Sequence, residues 1–151
     1  MRFSRGAMKT AVSTFLLLLV VWVSSASALA QEVRIIAHPS VVAKELNASQ
    51  LRSIFSMKQS AWPDGQPIRV FVLASNHSTH QLFCKRILRM FPYQVERIWN
   101  KLTYSGLGDL PVQVQSELEM FRKISETPGS IGYVVDARDE AGIQTVRLKT
   151  E

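Results

Sequence analysis

Thr127-Pro128-Gly129-Ser130-Ile131-Gly132-Tyr133-Val134 reads as a tight turn running into a strand, and this stretch decides the fold class. Pro128 holds its φ at about −65° and Gly129 accepts a positive φ, so the chain reverses at once. Ile131, Tyr133 and Val134 then make an apolar β-prone run. Upstream, Ser116 and Glu119 fit a capping box, and Leu118, Met120, Phe121 and Ile124 supply the apolar face of a helix that reaches Thr127. The segment is a helix-turn-strand joint.

Working outward, the same alternation of helix and strand continues in both directions. Residues 33–37 are a short β-rich run stopped by Pro39, and residues 48–55 read as a helix capped by Asn47 with Gln50, or by Ser49 alone. Trp62-Pro63-Asp64-Gly65 suits a type I turn that feeds residues 68–73, whose unbroken apolar run predicts a strand covered on both faces. Ser78-Thr79-His80-Gln81 fits another capping box, with Ser78 as N-cap and a helix from Thr79 to about Met90. Pro92 opens a further helix with Val95, Ile98, Trp99 and Leu102 on one face, ending before Gly106, and residues 145–148 give a last strand. Short strands separated by helices predict an α/β fold, a mixed sheet flanked by helices.

The amino terminus predicts export. Arg2, Arg5 and Lys9 precede an apolar run over residues 11–23, and Ala28-Leu29-Ala30 has the small-x-small pattern of a signal-peptide cleavage site. Residues 1–30 are thus expected to be a signal peptide cleaved after Ala30, with no membrane insertion afterwards, leaving residues 31–151 as one periplasmic domain. Removing 30 of 151 residues leaves 121, enough for one modest core. It also removes three of the 18 Lys and Arg, so that 15 oppose 12 acids and the net charge falls from +6 to +3. That charge is compatible with a small anionic ligand and is not a nucleic-acid footprint. Cys84 has no partner for an internal disulfide and shares a helical stripe with His80, Phe83, Ile87, Leu88 and Phe91, the setting of a buried, inert thiol.

Several stretches, in order, resemble the phosphate ABC transporter substrate-binding proteins, a type II periplasmic-binding-protein family. They are Leu51-Arg52-Ser53-Ile54-Phe55 with the Trp62 to Gly65 turn, the 69–73 strand with the polar turn to Thr79, Phe83, Trp99, Ser105-Gly106, and the Thr127 to Val134 joint. The resemblance covers most of the chain beyond residue 30 and implies a short, truncated branch with a single lobe. Aligning Phe83 sets His77 at the family's Ser, Ser78 at its Gly, Thr79 at its Thr and Leu73 at its Arg, so only Thr79 matches in kind. The family's function implies a non-catalytic binder of a small oxyanion such as phosphate, with an ABC permease or a membrane sensor as partner. No cofactor is implied.

The residues themselves support two readings of the 75–80 turn. A helix start presents unpaired N–H groups and the positive end of a dipole, so the amides of Ser78, Thr79 and His80, with the side chains of Ser75, His77, Ser78 and Thr79, can hold an oxyanion. Ser40 and Ser130, at neighbouring strand ends, are expected to join them. His77 and His80 would then take up protons as the anion binds. Alternatively Ser78 only caps the helix, and the domain is a ligand-free interaction or sensor-accessory module. A metal site of His38, His77 and His80 lacks a neighbouring carboxylate in sequence and is not adopted. No catalytic motif occurs, and Glu117, Glu119, Asp136, Asp139 and Glu140 sit in cap or turn contexts. The row Lys85, Arg86, Arg89, Arg97 and Lys101 is either a solvated face or a dock for a permease, a sensor or an anionic surface. Trp62 stays open between core and cleft, Tyr133 is placed in the core, and Tyr104 at a cleft rim.

Overall fold

A computed structural model describes residues 31–106, 108–135 and 138–149, and those from Glu32 onward belong to one compact unit. The predicted signal segment and Asp136 lie outside the described residues. The elements follow in the order β1 (Arg34–Ala37), β2 (Glu45–Leu46), α1 (Ala48–Phe55), β3 (Arg69–Leu73), α2 (Ser78–Phe83), a π-helical turn (Cys84–Leu88), α3 (Pro92–Ser105), β4 (Val112–Val114), α4 (Glu117–Glu126), β5 (Ser130–Val134) and β6 (Gln144–Leu148). The strands form one sheet in the order β2-β6-β1-β5-β3-β4. β3 pairs in parallel with both β4 and β5, and β2 with β6, while β1 runs antiparallel to β5 and β6. This is the expected mixed α/β sheet, and β2 and β4 were too short to leave a periodic signal.

The Thr127–Ser130 turn sits where three tertiary contacts meet. Ser130 N–H donates to the Thr127 carbonyl (3.2 Å) and Gly129 has φ 76°, the geometry of a type II turn. The Gly129 carbonyl accepts from Trp62 Nε1 (2.9 Å) and from Arg69 N–H (3.2 Å), and its N–H donates to Ser40 Oγ (3.0 Å). Trp62 is therefore core, and the Trp62–Gly65 turn, β1 and β5 are tied together at that edge. β5 is buried along its whole length because Met120, Phe121 and Ile124 of α4 cover the sheet. Leu118 departs from the expected apolar face and is 63% exposed.

Two local expectations are corrected. The cap of α2 is His77, whose ring accepts from Thr79 N–H through Nδ1 (3.2 Å), in place of Ser78. The expected helix to Met90 breaks its α pattern at Cys84 and ends at Arg89, in the left-handed region at φ 53°. That shift of register leaves Phe91 55% exposed while His80, Phe83, Cys84, Ile87 and Leu88 stay buried. At α1 the Asn47–Gln50 capping box forms in both directions (2.8 and 2.9 Å).

Candidate functional site

β3 carries the chain to the carboxyl edge of the parallel strands, and the turn after Leu73 opens α2 there. Two hydroxyls of this turn are already engaged. Ser75 Oγ donates to the Glu96 carboxylate on α3, and Thr79 Oγ1 donates to Glu117 Oε1 at the start of α4. The other oxygen of Glu117 accepts from Val135 N–H (3.1 Å), which joins the carboxyl end of β5 to the same cluster. Neither glutamate stood out in the sequence, because each is separated by at least a whole strand or helix from the hydroxyl it meets. Glu117 in particular read as an acid at a helix start, a structural role it also fills.

Below the turn lies a buried polar chain. Leu73 N–H donates to the Tyr133 hydroxyl (3.0 Å), which bonds His80 Nδ1, and His80 Nε2 contacts Cys84 Sγ (3.4 Å). The arrangement that satisfies every atom has Tyr133 donating to an unprotonated Nδ1 and Nε2–H facing the sulfur. Burial lowers the His80 pKa to about 4, with Glu96 opposing the shift and His77 adding to it. Burial pushes the Cys84 thiol up to about 12, Glu96 adding, and raises the Tyr133 phenol above its ordinary range against the opposing Leu73 hydrogen bond. All three are neutral near pH 7, so the chain is a structural strut with no charge to offer a ligand.

The expected site residues divide into two groups. Ser75, His77, Ser78, Thr79 and His80 come together, although His80 is fully buried and Ser78 is exposed. Ser40 and Ser130 do not join them. Ser130 starts β5 opposite Arg69, and β1 runs antiparallel, so its carboxyl end brings Ser40 to that same opposite edge, about 13 Å along β3 from Leu73. There Ser40 bonds Gly129 N–H and His38 Nδ1 (2.9 Å), and Ser130 Oγ donates to the Ile124 carbonyl (3.1 Å). Both act as turn supports, and His38 is likewise remote from His77 and His80. Among the described residues, no group of three or more His, Cys, Asp or Glu is arranged to hold a metal ion. Nor is any described helix long and apolar enough to cross a membrane.

Sheet order, strand directions and the helix pattern define a single-lobe α/β domain of the type II periplasmic-binding kind. Solved structures agree. An ABC-type phosphate transport receptor from Vibrio cholerae superposes with a TM-score of 0.60 at 12% identity, over 77% of this chain and 45% of that one. PstS from Borrelia burgdorferi gives 0.58 at 18%, over 78% and 47%. A Clostridium perfringens protein solved with bound phosphate gives 0.60 at 16%, over 77% and 44%. The fold is thus that of phosphate transporter substrate-binding proteins, and the chain spans under half the length of each. No family model and no curated protein matches the sequence.

Proposed function

We propose that this chain is a non-catalytic binding lobe for a small oxyanion of the phosphate kind, held at the turn between β3 and α2. The shared fold with phosphate receptors, over more than three quarters of the chain, carries this reading. The donors would be the Ser78 hydroxyl, the His77 ring through Nε2–H and the amides that open α2 other than Thr79 N–H, which His77 Nδ1 takes, with the Ser75 and Thr79 hydroxyls turning from Glu96 and Glu117 to the ligand. Glu96 and Glu117 narrow the ligand class, since a carboxylate beside the site repels a bare anion but accepts a hydrogen bond from one that carries a proton. Phosphate has such a proton near pH 7 and sulfate does not. Residues 1–30 would direct export and be cleaved after Ala30, and the domain from residue 31 would work in the periplasm beside an ABC permease or a membrane sensor. Proton uptake does not involve His80, which resists protonation until about pH 4.

A second reading has its own observation. The Ser75 and Thr79 hydroxyls already donate to the chain's own carboxylates, as they would to a bound oxyanion, which suits an interaction module that no longer needs a ligand. Calorimetric titration with phosphate and with sulfate at pH 7 separates the two. The receptor reading expects heat with phosphate alone, abolished in Thr79→Val. Absence of heat, with no change in melting temperature, would leave the interaction module.

A further inference from the structure

We propose that the outer face running from the π-helical turn onto α3 docks on an anionic phospholipid surface. Arg34, Arg69, Arg122, Arg138 and Arg147 each pair with a carboxylate. In contrast, Lys85, Arg89, Arg97 and Lys101 are exposed and make no ion pair among the described residues. They lie together. Lys85 and Arg89 flank a hollow of about 260 Å³ that they line with Met90 and Phe91, and Arg97 and Lys101 follow Tyr93 at four-residue intervals along one face of α3. The only acid of α3, Glu96, is turned away to Ser75.

Aromatic rings stand among these cations. Phe91 and Tyr93 are 55% and 62% exposed and stack with centroids 5.7 Å apart, on a turn held by the left-handed Arg89 and by Pro92. A bilayer interface suits this mixture. Lipid phosphates meet the unpaired cations, and the rings enter the boundary between headgroup and chain, where aromatic side chains gain from having one apolar side. α3 suits this placement, since Val95 is its one fully buried residue and its outer face is open. An acidic protein is the rival occupant, and failure to bind phosphatidylglycerol vesicles would leave it in place of the lipid.

The test is sedimentation of the protein, as recovered from cells expressing the full sequence, with vesicles of phosphatidylcholine alone or mixed with phosphatidylglycerol. Binding is expected only with phosphatidylglycerol and should fall steeply with added salt. Lys85→Gln with Arg97→Gln should weaken it about thirtyfold, and Phe91→Ser with Tyr93→Ser should weaken it further, all at unchanged melting temperature. Arg122→Gln, on another face, should bind as the parent does. Equal binding to both vesicles, no binding to either, full binding by the Lys85/Arg97 double variant, or capture of free glycerol phosphate without vesicle binding would each overturn the proposal.

Discussion

Tyr133 shows how one atom can organise a small core. Its ring stacks on Phe83 with centroids 3.8 Å apart, and its hydroxyl satisfies both Leu73 N–H and His80 Nδ1. Tyr133→Phe keeps the ring and strands both buried partners, at about 2–4 kcal/mol. Thermal unfolding should record a loss of roughly 10 °C, and an unchanged melting point would show that the hydroxyl carries little. His80 adds a pH dependence whose sign follows from its lowered pKa. Between pH 6.5 and about 4 the unfolded chain binds a proton that the folded chain refuses, so its stabilisation is complete above pH 6.5 and disappears as pH falls through that window. The loss is at most roughly 3 kcal/mol, and urea titrations at pH 7 and pH 4 should show this component vanish in His80→Gln. Placing Tyr133 in the core was possible from its apolar strand. Its partners were not legible, because His80 is 53 residues away in the chain and only parallel pairing of β3 with β5 brings them together.

At the scale of elements, the glycine of the opening stretch was chosen by its turn and is also demanded by its neighbours. A Cβ on Gly129 would stand 2.3 Å from the Pro67 carbonyl oxygen, in addition to facing φ 76°. Gly65 has φ 85° with nothing within 4 Å. Gly65→Ala should therefore cost only the left-handed strain, about 1–2 kcal/mol, and Gly129→Ala should cost 3 kcal/mol or more (about twice that strain) as backbone must shift. Equal losses in denaturant midpoint would contradict this account. The α1 cap, the Pro92 helix start and the tight turn at Pro128-Gly129 were all read from sequence, since each depends on residues within one turn of each other. The α2 cap was not. Ser78 and Gln81 have the spacing of a capping box, yet His77 arrives first with a ring nitrogen, and the fold gives the Thr79 hydroxyl to Glu117.

For the whole molecule, one sheet and one continuous core predict a single cooperative transition for residues 32–149. Cys84 provides the probe, being fully buried with its thiol pushed up to about 12. Its alkylation should be negligible in the native protein and should follow global unfolding across a denaturant series. Modification well below the midpoint would reveal a looser α2 region. Ion-paired arginines stand on β1, β3, β6 and α4, while Lys85, Arg89, Arg97 and Lys101 make no ion pair among the described residues.

By itself the sequence determined the α/β class, most helix and strand positions, the turn chemistry at Gly129 and the burial of Tyr133 and Cys84. These depend on periodicity and on backbone preferences that act over a few residues. Tertiary structure alone decided that Ser40 and Ser130 stand at the opposite edge from Thr79, because the direction of β1 is a property of the sheet. It alone set Glu96 and Glu117 against the Ser75 and Thr79 hydroxyls, since contacts between distant residues are created by packing and leave no local pattern.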